Sequence, residues 1–256
     1  MGICWANSLK DCAGNVSGEH YASKCIFDVG KVVVQGFDWC KDDPKEIHIN
    51  HLTANILCEK HNQELSPLDA EAGRVFANFQ EAVRLFSVRS GLGAKRFWPN
   101  RPKFCVDGNL FERWLLKTLI NFSVRGRNII GLEENEPGKC PTTLAETAFG
   151  RRQFLGESGL YAAPELNAVV DPPLGKPFNL TTVLLGEKRL IGGMFSVSGI
   201  RLMIWLAQDR GPDSTLAGKE FDEWRRLAFT RRPTAFNFNL SPSSSSKSHS
   251  INFTWA

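Results

Sequence analysis

The stretch Leu52–Asp69, LTANILCEKHNQELSPLD, decides how the amino-terminal part of this chain is read. LTANILCEKHNQEL, from Leu52, switches to helical spacing, and Cys58 and His61 stand three residues apart at what reads as the start of that helix, with Asn55 before them and Asn62 directly after. The predicted helix stops at Ser66-Pro67, and Pro67 then suits the first turn of a second helix. Taken alone, a thiol and an imidazole on a helix describe a buried Cys and a surface His as well as they describe a pair of ligands.

The upstream segment CWANSLKDCAGNVSGEHYASK changes that balance. Cys4 and Cys12 lie on a short polar loop. A Cys-bearing loop followed at a distance by Cys-x-x-His has the layout of a tetrahedral zinc site, here Cys4, Cys12, Cys58 and His61. The gap between the first two is wider than the usual spacing, so Cys25 and Cys40 stay open as substitutes for Cys12. The chain has seven cysteines, an odd number, and no amino-terminal secretion signal, which argues for metal binding over a disulfide framework. Glu19-His20 has a different chemistry. A carboxylate suits a hard cation such as Mg²⁺, and a neighbouring imidazole can take a proton from water near neutral pH. Asn55 could orient that ring, and Asn62 could offer an oxygen to the same cation.

Glu19-His20, Asn55 and Cys58-x-x-His61-Asn62, in that order, resemble the HNH endonuclease motif of the ββα-metal fold in its zinc-stapled form. The resemblance covers about residues 1–66. It implies His20 as general base, Asn55 as the residue that fixes His20, and Glu19 and Asn62 as holders of a catalytic Mg²⁺ or Mn²⁺. It also implies a structural Zn²⁺ on Cys4, Cys12, Cys58 and His61. The sequence departs from the family pattern in three ways. His61 stands where a Cys is usual, Asn62 where His is the commoner letter, and the first pair of ligands is stretched.

Outward from this core, KVVVQGF (Lys31–Phe37) and EIHINHL (Glu46–Leu52) read as two strands joined by an Asp-Asp-Pro turn. His48 and His51 alternate with isoleucines and face solvent or a groove. Residues 68–88 carry apolar side chains at helical spacing, and 109–124 form a helix apolar on most sides, hence buried. Short helices are expected within 141–168. From about 177 the runs FNLTTVLL, RLIGGMFSVSG and IRLMIWLA predict an antiparallel meander, and TAFNFNL pairs with SINFTWA as a terminal hairpin across a Ser-rich loop. FDEWRRLAF reads as a short helix. The expected class is α+β: an HNH-like domain over 1–66, then a helical and β-rich region over 67–256.

The formal net charge is +4, which permits a nucleic-acid partner without demanding one. Basic residues interleave with aromatics in GAKRFWPNRPK (Gly93–Lys103). They recur at Arg125 and Arg127, Arg151 and Arg152, and Arg225, Arg226, Arg231 and Arg232, the composition of a surface that tracks a phosphate backbone. The acidic runs GLEENEPG and KDDPKE would lie away from it. No apolar run is long enough to span a membrane. The expectation is a cytoplasmic nuclease acting on nucleic acid, DNA in preference to RNA, with a protein partner or a second copy left open. The rival is a non-catalytic zinc-stapled binding module. Cys105 and Cys140 read as ordinary thiols far from the cluster. The 18 Phe and 7 Trp against 2 Tyr have no functional reading at this level.

Overall fold

The computed structural model describes residues 4–27, 30–35, 40, 42–91, 104–162, 165–166, 179–185, 189–197, 200–212, 229–239 and 248–255. The Gly93–Lys103 cluster, Arg225 and Arg226, residues 221–228 of the FDEWRRLAF segment and residues 241–247 of the Ser-rich loop lie outside them. In chain order the elements begin with strands β1 (Val16–His20), β2 (Lys31–Val34), β3 (Lys45–His48) and β4 (Thr53–Cys58), then helix α1 (Glu59–Gly91). Next come β5 (Phe104–Asp107), α2 (Gly108–Arg125), β6 (Ile129–Ile130), α3 (Thr142–Ala148), β7 (Gly159–Ala162) and β8 (Glu165–Leu166). The chain continues with β9 (Asn179–Leu185), β10 (Arg189–Val197), β11 (Ile200–Trp205), β12 (Thr230–Arg231), β13 (Ala235–Asn239) and β14 (Ser248–Thr254). The protein is thus a mixed α and β structure with few helices and several small sheets. Among the described residues no helix is long and apolar enough to cross a membrane.

Two compact units divide the chain, and neither is one continuous stretch. The first gathers residues 1–73, 113–153 and 184–191; the second gathers 74–112, 154–183 and 192–256. In the first unit β1 runs antiparallel to β4, with Val16 opposite Cys58 and His20 opposite Thr53, and an irregularity at Ser17/Gly18. The expected strand pair is present as β2 antiparallel to β3, Lys31 opposite His48. It is shorter than the sequence suggests. Residues 49–51 turn helically instead, because His48 Nδ1 accepts the Asn50 N–H at 3.2 Å and Leu52 N–H donates to the Ile49 carbonyl at 3.0 Å. Tyr21, Val34, Cys40, Ile49 and Leu52 form the apolar core here.

The reading of the opening stretch is corrected in two places. Residues 53–58 are strand, not helix, so Asn55 lies on β4 and caps nothing. Thr53 and Ile56 are β-branched and favour the extended state, and the ladder to β1 rewards it. The helix begins at Glu59, where its first free N–H groups meet loop carbonyls: Glu59 N–H donates to Asn15 at 2.9 Å and Lys60 N–H to Ala13 at 3.2 Å. Nor does it end at Pro67, which sits inside α1. Leu65, Leu68, Ala72, Val75, Phe76 and Phe79 are all buried, an apolar stripe at spacings of three and four that runs through the proline and holds the helix across the missing hydrogen bond.

In the second unit β12, β7, β11 and β10 lie in that order, with β9 on β10, so the expected meander is present. The terminal hairpin is present too, β13 antiparallel to β14 with Phe236 opposite Ile251, flanked by β5 and β8. Its interior is aromatic. Phe236 meets Phe79 at 5.9 Å and Phe253 at 5.1 Å between ring centres.

Candidate metal centre and the polar interior of its unit

Cys4, Cys12, Cys58 and His61 converge. Their ligand atoms all lie within 4.8 Å of one another. His61 Nδ1 stands 3.3 Å from Cys4 Sγ, 3.6 Å from Cys12 Sγ and 3.3 Å from Cys58 Sγ. A tetrahedral ion at ordinary zinc–sulfur and zinc–nitrogen distances separates those atoms by about 3.5 Å. The donor set therefore fits one Zn²⁺ in size and in chemistry. Cys4, Cys58 and His61 are buried and Cys12 faces solvent. Neither open alternative to Cys12 joins the cluster. Cys25 donates to the Asp69 carbonyl at 3.0 Å, and Cys40 belongs to the apolar core.

The thiols are tuned unequally. Burial holds Cys4 above its ordinary value, and partial desolvation of its sulfur by its neighbours, together with hydrogen bonding to Cys4, pushes the otherwise exposed Cys12 up to about 12. Burial opposes the Cys58 thiolate as well, but the backbone N–H groups of His61 and Ala13 outweigh it and hold Cys58 below the usual range. Three crowded thiols resist losing their protons together, and a dication supplies the charge that lets them. Cys140 is wholly buried, and its thiol is held up by burial and by the charge of Cys4.

A second ring of groups orients the first. His61 Nε2 bonds Asp11 Oδ1 at 2.9 Å, which fixes the tautomer that leaves Nδ1 for the ion. Asp11 Oδ2 takes Lys60 Nζ at 2.8 Å and Arg151 Nη2 at 2.7 Å. Those bonds, Lys60 first and Arg151 second, hold its carboxyl well below the ordinary carboxylate range. Phe149 packs edge-on against the imidazole at 4.9 Å. The sequence hides Asp11 because it sits 50 positions from His61.

The second group of expected site residues is arranged differently. Glu19 and His20 are adjacent on β1, so strand alternation turns them to opposite faces. Glu19 is buried with its Oε1 2.7 Å from Lys117 Nζ, and Lys117 also bonds Asp69 Oδ1 at 2.7 Å. Ser23 donates to Asp69 and accepts from Trp114 Nε1 at 2.7 Å. Asn121 donates to the His20 carbonyl at 3.1 Å and accepts from Trp5 Nε1 at 3.1 Å, tying the cysteine loop to β1. Burial lifts the Glu19 carboxyl above its usual value despite Lys117.

His20 is half-buried and its Nε2 has no hydrogen-bond partner among the described residues. Burial, then Lys24, hold its pKa below the ordinary imidazole value, so the ring is neutral at neutral pH. Asn62 Nδ2 donates to Ser17 Oγ at 3.1 Å. Asn55 is exposed and stands opposite Gly18, while Thr53 stands opposite His20. His51 is exposed beside a cleft of about 430 Å³. Comparison with models of known protein families, with curated proteins and with solved structures finds no match to this chain.

Proposed function

We propose that the protein is a nuclease of the HNH type that hydrolyses nucleic-acid phosphodiesters, DNA in preference to RNA, with His20 as general base. One observation carries the reading. The Cys4, Cys12, Cys58 and His61 cluster fastens the loop before β1 to the β4–α1 junction, and β1, paired antiparallel to β4, ends on His20. A strand pair leading into a helix, stapled at that junction and with an imidazole at the end of its first strand, is the frame that the HNH motif requires. His20 suits the role because a general base must be unprotonated and must keep a lone pair uncommitted. Burial and Lys24 meet the first condition, and the unpartnered Nε2 meets the second, although that nitrogen is sealed from solvent and the proposed step needs an opening that brings water to it. In the proposed step His20 Nε2 takes a proton from water as its oxygen bonds phosphorus, the bond to the 3′ oxygen breaks, and the leaving 3′ alkoxide takes a proton from solvent.

The Mg²⁺ or Mn²⁺ that the resemblance implies does not fit the donors assigned to it. Glu19 is committed to Lys117 on the face of β1 opposite His20, and Asn62, whose Nδ2 is bonded to Ser17, is left with only its Oδ1 to offer. No step is routed through that cation. The Glu19–Lys117 pair also favours a second reading, a zinc-stapled module that binds without cleaving. Plasmid nicking with and without Mg²⁺ or Mn²⁺ separates the two. The nuclease reading expects nicking that falls by at least about 100-fold in His20→Ala, with zinc content unchanged. Retention of DNA by both proteins, with no nicking by either, would establish the binding module.

A further inference from the structure

β4 carries a built cleft lined from both of its faces, by Thr53 and Asn55 on the side of His20 and by Ala54 on the other, with Tyr21, His51 and Arg125 completing it. None of its lining residues is a carboxylate. Arg125 is exposed in the last turn of α2, and its Nε donates to Tyr21 Oη at 3.0 Å. Tyr21 is held in turn by Phe122, 5.6 Å away between ring centres, and by its backbone bond to Leu52. The guanidinium is thus oriented and not a free surface cation, and the Asn55 amide and the His51 imidazole line the same cleft. Thr53, in the cleft wall, is the cross-strand partner of His20. Opposed residues in an antiparallel pair place their Cβ atoms about 5 Å apart on one face. The C-terminal end of α2 opposes an anion with roughly half a negative charge, but a full guanidinium charge outweighs it. The end carbonyls of α2 are also occupied, Phe122 by Gly126 and Ser123 by Asn128.

We propose that this cleft seats the phosphodiester backbone of a nucleic acid, with Arg125 on a phosphate and Tyr21 positioning Arg125. The proposal rests on the nuclease reading for its orientation toward His20, but its test does not depend on cleavage. Fluorescein-labelled DNA, single- and double-stranded, is titrated by anisotropy with His20→Ala protein, and again with Arg125→Ala, Tyr21→Phe or Arg127→Ala added. Arg125→Ala is expected to weaken binding about tenfold and to lower the slope of log affinity against log salt by about one. Tyr21→Phe keeps the charge and loosens its aim, so binding weakens less and the salt slope holds. Arg127 is exposed two residues beyond and outside the cleft, and its removal should change binding by less than twofold. Equal losses from Arg125→Ala and Arg127→Ala, or no binding by the parent, would overturn the cleft. Arg125-dependent binding without nicking by the wild type would keep the cleft and remove the nuclease. Nicking whose KM ignores Arg125→Ala would do the reverse.

Discussion

The two units stabilise themselves by different chemistry. The first carries its polar groups inside: Glu19, Ser23, His61, Lys117 and Asn121 are all buried there. The second is built on rings, with Phe76, Phe79, Phe111, Phe236 and Phe253 in a chain of tilted and edge-on contacts. Its charged interior group, Glu112, is closed off by Arg232 at 2.9 Å and the Leu160 N–H at 2.7 Å. Both units bury large apolar side chains, Trp114, Leu115, Leu57 and Leu65 among those of the first, but in the first unit the ligand cluster and the Glu19–Lys117–Asp69 ion pairs are closed in among them. Such groups are unforgiving, because each partner removed leaves a buried charge or donor unmet. Aromatic packing degrades by cavity volume instead.

The largest expected effect comes from Cys58→Ser. Zinc stoichiometry should fall from one to none, since a structural zinc carries an apparent binding energy of about 10–16 kcal/mol in small zinc domains. Hydrogen exchange should then show lost protection along β1, β4 and the start of α1, with β5, β13 and β14 retaining theirs. Uniform loss in both units would break the comparison. Next, Lys117→Met and Phe79→Ala should each cost about 3–5 kcal/mol in urea unfolding, but they should differ in pH dependence. The folded-state pKa of Glu19 is raised above the ordinary 4.5, so the folded chain holds that proton more tightly than the unfolded one. Removing Lys117 raises it further. The stability of that variant is then greatest in acid and falls as pH rises through the raised value. Below pH 4.5 its penalty should shrink, while that of Phe79→Ala should not. A pH-independent penalty for both would show that Lys117 acts by packing alone. The smallest effect is that of Asp11→Asn, which should weaken zinc binding about 10- to 100-fold in a chelator competition and leave the ligand count at four by cobalt absorption.

What could be read from the residues follows from how local each signal is. The Cys58-x-x-His61 pair and the cysteine loop were visible because ligand spacing is local, and α2 because one apolar helix declares itself. The strand β4 was misread as helix, since a short apolar run leading into a true helix has no period of its own. Thr53 and Ile56 were the available cue. Lys117 was a cue as well. A lysine flanked by Trp114, Leu115, Leu116 and Leu119 on a buried helix must find carboxylates, yet Glu19 and Asp69 lie 98 and 48 residues away in the chain, and no pattern names them. The excess of Phe has its place in the ring chain of the second unit.

Of the four ligand side chains, three are sealed and Cys12 alone meets water. An ion held there would load and leave through a single door. A chelator, a competing metal or an oxidant would have to engage this sulfur first, and the lifetime of the metal-bound protein would be set by how readily one loop thiolate lets go.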